Sequence, residues 1–323
     1  MTILVTGVAG FIGNHVADAL LARGQPVLGL DIVNDYYDVA LKQARLARLD
    51  GRKGYEFVKI DLADTQAMQA LAVSHPDIEA IVHLAAQAGV RYSLQNPRAY
   101  IQSNLVGHLE ILELARNLKA CRHLVYASSS SVYGASEHLP FSLEDRADQP
   151  QSLYAATKRS DEMLSYSYAH LYGIAQTGIR FFTVYGPWGR PDMAPYIFTR
   201  AILAGETIRL FNRGEMMRDF TYIDDAAAGV LAALDKPPAG VPPHRVYNIG
   251  NNNAEPLAKL VSSIEEACGR KAIIELAPMQ PGDVRQTYAD IEAARRDLDF
   301  APRTSLEAGI ARFVDWYRDY HKA

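Results

Sequence analysis

Cysteine is scarce in this sequence: Cys121 and Cys268 are the only two among 323 residues. Two cysteines are too few for a disulfide framework or a thiolate metal site, so we expect reduced thiols and no bound metal. An excess of one charge is also lacking, because the formal net charge is −4. The composition therefore gives no electrostatic reason to expect nucleic acid or an anionic membrane as a partner.

Long hydrophobic runs are lacking as well, since no apolar stretch approaches the length needed to span a bilayer. Strand-like residues start at Thr2 and a glycine motif follows at Gly7, so no secretory signal is predicted. We therefore expect a cytoplasmic protein. Hydrophobic residues make up 49% of the chain and charged residues 22%, a balance that can bury one large core or two modest ones.

Short apolar runs alternate with helical patterns through the first two-thirds of the chain. The predicted strands are 2–6, 26–31, 55–60, 80–84, 122–128 and 175–182. The predicted helices are 11–23, 64–74, 97–118 and 152–172, the third beginning with the cap residue Asn96 and with Pro97. Several strands are almost continuously apolar, as expected for parallel strands that are buried on both faces. This pattern predicts an α/β fold with a Rossmann-type, doubly wound parallel sheet.

The rhythm changes after about residue 183, where prolines interrupt the alternation. The helices predicted there connect few strands and lie at 195–204, 223–234, 255–267, 290–298 and 305–320. We expect a first domain at 1–182 and a smaller, interleaved C-terminal lobe at 183–323, with 245–250 returning to the sheet of the first domain.

The first strand leads directly into the glycine motif TGVAGFIG at residues 6–13. Gly7 permits a tight turn, Gly10 lets backbone N–H groups approach a pyrophosphate, and Gly13 allows the helix to pack closely on the strand. Phe11 and Ile12 lie between these glycines at the start of the helix. The position between strand and helix indicates a dinucleotide site.

Other strand ends on the same side of such a sheet supply further cofactor candidates. Asp31 ends the second strand, where a carboxylate accepts hydrogen bonds from the adenosine ribose. No arginine follows it that would bind a 2′-phosphate, so the sequence favours NAD over NADP. Asp61, Leu62, Leu84, Ala85 and Ala86 end the third and fourth strands, and the small residues suit a close approach to the dinucleotide.

The segment YAATK at 154–158 lies within a predicted helix, so Tyr154 and Lys158 share one helix face. A tyrosine hydroxyl is a poor base at neutral pH, but a nearby ammonium stabilises the phenolate and makes it usable. Tyr55 and Lys59 have the same spacing. That second pair lies on a predicted strand away from any polar motif, and we interpret it as accidental.

The segment ASSSSVYG at 127–134 ends the fifth strand, at the edge where ligands bind in such sheets. Together with the glycine motif and YxxxK, it resembles the extended short-chain dehydrogenase/reductase family of nucleotide-sugar enzymes over essentially the whole chain. The resemblance implies that Ser129 is the catalytic serine and Tyr154 the base, whereas Lys158 holds the nicotinamide ribose. The domain at 1–182 would then bind NAD, and the lobe at 183–323 would bind the nucleotide sugar.

All members of the family begin by oxidising C4 of the sugar. Relatives that eliminate water carry Asp-Glu after the catalytic residue, and those that decarboxylate UDP-glucuronate usually carry Glu at the second of these positions. This chain has Ser130 and Ser131 there. The groups that dehydration and decarboxylation need are therefore missing.

Four further segments resemble UDP-glucuronate 4-epimerases: AAQAGVRYS (85–93), RFFTVYGPWGRPDM (180–193), MRDFTYIDD (217–225) and MQPGDVRQTYAD (279–290). The serines and Thr183 are candidates to hydrogen-bond the sugar carboxylate, and Arg190 or Arg91 to neutralise it. The resemblance also implies substrate contacts by Gln87, Phe211, Arg218 near the diphosphate, and Arg285.

An epimerase that acts on a uronate must keep its β-keto acid intermediate from losing CO₂. Hydroxyl groups suit this task because they bind the carboxylate without supplying an acid or base. Three alternatives remain: a UDP-glucose/UDP-galactose 4-epimerase, a UDP-glucuronate decarboxylase and a non-catalytic NAD-binding protein. The resemblance also suggests a homodimer through helices around 97–118 and 152–172, although Tyr100, Leu105, Leu109 and Leu112 fit a core equally well.

Overall fold

The structure is a computed structural model that describes residues 2–279 and 284–323. Residues 280–283, which belong to the segment singled out at 279–290, lie outside the described residues. The strands are β1 (Thr2–Thr6), β2 (Val27–Asp31), β3 (Tyr55–Lys59), β4 (Ile78–His83), β5 (His123–Ser129), β6 (Ala175–Phe181), β7 (Thr183–Tyr185), β8 (Thr207–Leu210), β9 (Met217–Tyr222), β10 (His244–Ile249), β11 (Ala254–Pro256) and β12 (Ile273–Leu276).

The α-helices in the same part of the chain are α1 (Phe11–Ala22), α2 (Val39–Ala47), α3 (Thr65–Ser74), α4 (Val90–Gln95), α5 (Pro97–Tyr100), α6 (Gly107–Asn117), α7 (Leu153–Tyr172), α8 (Ala194–Ala204), α9 (Ile223–Asp235), α10 (Leu257–Cys268), α11 (Glu292–Leu298) and α12 (Leu306–His321). A π-helix at Ile101–Val106 joins α5 to α6. Short 3₁₀ turns lie at Ser130–Tyr133 and Phe211–Gly214.

The central sheet has seven parallel strands in the order β10-β6-β5-β4-β1-β2-β3. Ile3 and Val5 pack into one hydrophobic core while Leu4 packs into a second, so both faces of the sheet are covered. The predicted α/β, Rossmann-type fold is therefore confirmed. The strand order reverses between β1 and β4, which creates the switch point where sheets of this kind bind ligands.

The chain after residue 183 builds two small sheets and also returns to the large one. The small sheets have the orders β11-β9-β7 and β12-β8. The strand β10 pairs in parallel with β6 at the edge of the central sheet. Residues from both sides of the predicted boundary therefore share one sheet.

The six strands predicted before residue 183 begin and end within two residues of β1 to β6. The capping prediction at Asn96 is also confirmed, since its side chain accepts a hydrogen bond from Ala99 N. The helical segment predicted at 97–118 is confirmed as the continuous run of α5, the π-helix and α6, although the pattern did not distinguish the π-helical middle at Ile101–Val106. The helix α2 was not predicted, since its buried face carries the charged residues Lys42 and Arg45 and so lacks an apolar period.

Candidate active site

A cavity of about 430 Å³ opens at the carboxyl edge of the central sheet. It is bounded by the ends of β1, β2, β4 and β5, the start of α1 and the first turns of α7. All predicted cofactor residues line it: Gly7, Gly10, Phe11, Ile12, Gly13, Asp31, Asp61, Leu62, Leu84, Ala85, Ala86, Tyr154 and Lys158. Of the predicted substrate residues, Gln87, Ser129, Ser130, Ser131, Thr183 and Arg190 line it too.

The glycine loop at the start of α1 fits a dinucleotide pyrophosphate. Gly7 has φ +74°, and a Cβ added there would lie 2.8 Å from Ala85 N, so a side chain at this position would be both strained and crowded. Gly10 is the N-cap of α1 and makes no side-chain cap. The first backbone N–H groups of the helix are therefore available to an anionic ligand.

Asp31 is held in place at the end of β2 by two backbone groups. Its Oδ2 accepts a hydrogen bond from Ala9 N at 3.0 Å, and its Oδ1 accepts one from Val33 N at 2.7 Å. Burial raises the pKa of Asp31, although these hydrogen bonds and the charge of Lys42 act in the opposite direction. The carboxylate that would receive the ribose hydroxyls is thus oriented by Ala9 of the glycine loop and by Val33 after β2.

Lys42 is a cavity residue that the sequence did not indicate. It lies on α2, and its ammonium donates to Asn34 O at 2.7 Å and to Asn34 Oδ1. Burial lowers the pKa of Lys42, and the carboxylate of Asp31 counteracts this effect. Lys42 could not be predicted as a cavity residue from the sequence, because its spacing from the glycine motif matches none of the cofactor-binding patterns described above.

Tyr154 and Lys158 lie on the same face of α7, and both line the cavity. The helix begins at Leu153, and Ser152 caps it by accepting a hydrogen bond from Ala155 N at 3.1 Å. Lys158 Nζ donates to Ala127 O at 3.0 Å, so the end of β5 fixes the position of the ammonium. This arrangement sets a phenol, an ammonium and the serine segment around one space.

The serine segment turns sharply at the end of β5. Ser129 Oγ donates to Ser131 Oγ at 3.1 Å and accepts a hydrogen bond from Ser131 N at 3.2 Å. Thr183 opens β7, two residues after Phe181 of β6, which pairs with Ser129 of the adjacent strand β5. Hydroxyl groups therefore approach the cavity from two separate strands, and none of them is an acid or a base at neutral pH.

A buried ion pair between Glu162 and Arg180 contacts the serine segment through Ser128. Glu162 accepts hydrogen bonds from Ser128 Oγ at 2.6 Å and from Arg180 Nε and Nη2 at 2.8 Å each. Burial would raise the pKa of Glu162, but the hydrogen bonds from Arg180 and Ser128 hold it below its ordinary value. The bidentate pair of Arg180 with Glu162 thus joins β6 to α7, and the hydrogen bond from Ser128 joins the end of β5 to the same carboxylate.

Arg190 lines the cavity but is already paired. Its Nε donates to Asp192 Oδ1 at 3.0 Å and its Nη2 to Asp192 Oδ2 at 2.5 Å. Tyr36 OH donates to the same Oδ2 at 3.2 Å. Burial would lower the pKa of Arg190, but Asp192 raises it above its ordinary value. Asp192 and Tyr36 were not predicted from the sequence. Arg190 and Asp192 are close together along the chain, but this spacing does not by itself predict an ion pair.

Four predicted substrate residues are not among those that line the cavity within the described part of the chain: Arg91, Phe211, Arg218 and Arg285. The guanidinium of Arg91 lies 5.0 Å from the ring centroid of Phe211. Arg218 Nη1 donates to Met217 O at 2.8 Å and to Arg285 O at 3.2 Å. Arg91 of α4 and Phe211 thus form one group and Arg218 and Arg285 form another, and their substrate roles stay predictions.

Within residues 2–279 and 284–323, none of the helices is both long enough and apolar enough to cross a membrane. The same residues contain no group of three or more His, Cys, Asp or Glu side chains arranged to hold a metal ion.

Comparisons with known proteins show which proteins the chain is similar to. The NAD dependent epimerase/dehydratase family matches residues 3–250. The probable UDP-glucuronate 4-epimerase of Rhizobium meliloti (strain 1021) is 46% identical, with 100% of this chain and 99% of that protein covered. UDP-glucuronate 4-epimerase 4 of Arabidopsis thaliana is also 46% identical, with 99% and 76% covered.

A solved structure is similar over the same length. It is the crystal structure of UDP-glucuronic acid 4-epimerase from Bacillus cereus in complex with UDP-glucuronic acid and NAD. It is 34% identical, covers 99% of this chain and 100% of its own, and has a TM-score of 0.91.

Proposed function

The chain belongs to the NAD dependent epimerase/dehydratase family, and on that basis we propose that it interconverts UDP-glucuronate and UDP-galacturonate by epimerisation at C4. Two relatives at 46% identity, matched over at least 99% of this chain, carry this activity in their names. The observation in this chain that carries the proposal is the set of hydroxyls at Ser129–Ser131 and Thr183 around the cavity that also holds Tyr154 and Lys158.

Tyr154 is the proposed base, which removes the proton from the C4 hydroxyl and later returns it. Lys158 holds the nicotinamide ribose and stabilises the phenolate by its charge. NAD, when bound, accepts the hydride of C4 and gives it back, so the reaction consumes no added cofactor. Ser129 hydrogen-bonds the reacting oxygen and keeps it within reach of the phenol.

The remaining hydroxyls serve the sugar carboxylate. Ser130, Ser131 and Thr183 are proposed to hold it by neutral hydrogen bonds while C4 is a ketone. Loss of CO₂ from a β-keto acid is favoured when its carboxylate is desolvated and stands perpendicular to the carbonyl plane. Hydroxyls that bind the carboxylate in another orientation, without taking or giving a proton, slow that loss.

Arg190 is a candidate to balance the remaining negative charge of the substrate. Its guanidinium lines the cavity. It would have to pair with the substrate carboxylate while it is also paired with Asp192. The glycine loop, Asp31, Asp61, Leu62 and residues 84–86 are the proposed NAD contacts. Gln87, Arg91, Phe211, Arg218 and Arg285 are proposed to contact the rest of the sugar nucleotide.

The test is incubation of the purified protein, without added NAD, with UDP-glucuronate while the sugar is followed by NMR. We expect UDP-galacturonate to appear and no UDP-xylose or CO₂. Release of UDP-xylose would instead indicate a decarboxylase. Parallel incubation with UDP-glucose separates the uronate epimerase from a UDP-glucose/UDP-galactose 4-epimerase, and no turnover of either sugar would favour a non-catalytic NAD-binding protein.

We further propose that the protein works in the cytoplasm as a homodimer, with residues 1–182 binding NAD and 183–323 binding the sugar nucleotide. Apolar side chains exposed on the two predicted contact segments support the dimer: Ile101, Leu109, Met163 and Tyr166. Tyr100 and Leu112, in contrast, are fully buried within the chain. Sedimentation of the wild type and of Met163→Glu tests this contact, since the charged side chain should favour the monomer.

A further inference from the structure

Asp161 is a carboxylate beneath the site that belongs to none of the motifs above. Its side chain is 1% exposed, and its Oδ2 accepts a hydrogen bond from Lys158 Nζ at 3.1 Å. The side chain of Lys158 is 3% exposed. The two residues therefore form an ion pair that water does not screen, on the same helix α7 that carries the proposed base Tyr154.

The second oxygen of Asp161 distinguishes it from the neighbouring carboxylate Glu162. Asp161 Oδ1 is buried and accepts no hydrogen bond from the described part of the chain. Glu162 accepts hydrogen bonds from Ser128, Arg159 and Arg180. Burial raises the pKa of Asp161 to about 6, even though the charge of Lys158 acts to lower it. The ionised form of Asp161 is thus stabilised mainly by Lys158.

We propose that Asp161 is a positioning residue for the proton-transfer step, because its charge sets how strongly the ammonium of Lys158 acts on the oxygen of Tyr154. This inference rests on the proposed epimerase function. An ionised Asp161 counters the ammonium, whereas a neutral Asp161 leaves the full positive charge to stabilise the phenolate. Removing the carboxylate should therefore extend activity toward lower pH.

The other titratable groups that face this ion pair keep their charge state near pH 6. Burial lowers the pKa of His108 on α6 to about 3, and burial lowers that of His83 on β4 well below its ordinary value. Burial raises the pKa of Tyr126 on β5. Glu162 remains ionised because of its three partners. Among these groups, Asp161 is the one whose charge changes as the pH passes about 6.

The experiment uses NAD-loaded holoenzyme and measures the single-turnover rate of nicotinamide reduction by UDP-glucuronate as a function of pH. Asp161→Asn keeps the size of the side chain and removes its charge. We expect its acid limb to move down by about half to one pH unit at pH values above about 6, where the wild-type Asp161 is ionised. This shift is a gain of about three- to tenfold in relative rate on that part of the limb. Asp161→Glu, which retains the charge, should restore the wild-type midpoint.

Glu162→Gln is the matched control, because it neutralises an equally buried carboxylate on the next residue that does not pair with Lys158. Its acid limb should move less than that of Asp161→Asn, because the charge of Glu162 acts on Lys158 only through its smaller effect on Asp161. An Asp161→Asn profile that coincides with the wild type at full NAD content would overturn the proposal, as would an equal shift in Glu162→Gln. If Asp161→Asn does not fold, Asp161→Ser removes the same charge and carries the same expectation.

A sugar-free measurement separates this inference from the proposed function. If the wild type does not react with UDP-glucuronate, the proposed substrate is wrong. The phenolate absorbance of each holoenzyme is then titrated against its Tyr154→Phe counterpart. The downward shift in Asp161→Asn should appear there as well, and an unchanged midpoint contradicts the role of Asp161.

Discussion

The cofactor side and the sugar side of the cavity are expected to recognise their proposed ligands in different ways. On the cofactor side, Gly7, Gly10 and the ends of β1 and β4 present backbone groups, and Thr6 Oγ1 joins those strands by accepting from Leu84 N at 3.2 Å and from Ala85 N at 3.1 Å. On the sugar side, Ser131, Thr183 and Arg190 present side chains.

A Cβ added at Gly7 would lie 2.8 Å from the backbone of Ala85, whereas side chains such as that of Ser131 can be exchanged one at a time. The cofactor side should therefore respond to mutation by losing NAD, and the sugar side by changing rate or product.

The largest effect should come from Tyr154, where the two sides meet. Tyr154→Phe removes the oxygen that exchanges the proton but keeps the ring that packs 6.1 Å from Tyr100. We expect turnover of UDP-glucuronate to fall by about 10³-fold with NAD still bound, since a positioned general base contributes about 10²–10⁴-fold. Measurement of kcat together with the content of releasable dinucleotide checks this. Loss of NAD in parallel would mean that Tyr154 acts mainly in binding.

Gly7→Ala should weaken the binding of NAD on the cofactor side. The added Cβ meets the backbone of Ala85 at 2.8 Å in a left-handed conformation with φ +74°. We expect the purified variant to bind NAD at least about tenfold more weakly, because strain of about 1–2 kcal/mol adds to the clash. Gly24→Ala is the control, since Gly24 has the same φ of +74° but no neighbour within 4 Å of an added Cβ. Equal NAD affinity in Gly7→Ala and the control would contradict the account of the glycine loop.

Ser131→Glu should change which product is formed and leave the content of bound NAD unchanged. A carboxylate at this position adds an acid–base group beside the keto acid and repels its carboxylate. We expect the fraction of turnovers that release CO₂ to rise by about tenfold, as is reasonable for one new charged group near the reacting centre. Product analysis by NMR checks this, with Ser131→Gln as the uncharged control. An unchanged product ratio would show that the hydroxyl at 131 does not protect the intermediate.

Asp192→Asn should have the smallest effect. It loosens the ion pair with Arg190, and a guanidinium released from Asp192 can pair more fully with the substrate carboxylate. We expect KM for UDP-glucuronate to fall by about two- to fivefold, in keeping with a partly exposed ion pair. Tyr36→Phe, which removes only the hydrogen bond at 3.2 Å, should change KM less. A higher KM in Asp192→Asn would mean that the ion pair is needed to hold Arg190 in place.

The same contrast explains what the sequence could predict. The strands β1 to β6 and the glycine loop follow from short-range patterns, because each strand end carries its own signal of apolar residues followed by small or acidic ones. Ser129, Tyr154 and Lys158 also occupy the cavity wall together, as their motifs suggested. Here one local motif corresponds to one wall of the site.

Residues whose role depends on packing between distant segments gave no such signal. Lys42 reaches the cavity from a helix whose buried face is charged, and Asp161 acquires its character from burial next to Lys158. Asn104 lies in the π-helix, where its Nδ2 donates to Gln87 O at 3.1 Å and to Thr157 Oγ1 at 2.9 Å. The apolar period of the segment 97–118 predicted a helix but could not reveal the widened turn.

The most direct measurement follows deuterium placed at C4 of UDP-glucuronate. If hydride leaves C4 and returns to its other face within one closed site, the UDP-galacturonate formed will retain the deuterium at C4, and its carboxylate will remain on C5. Loss of the deuterium to solvent, or its recovery in a decarboxylated pentose, would contradict the account.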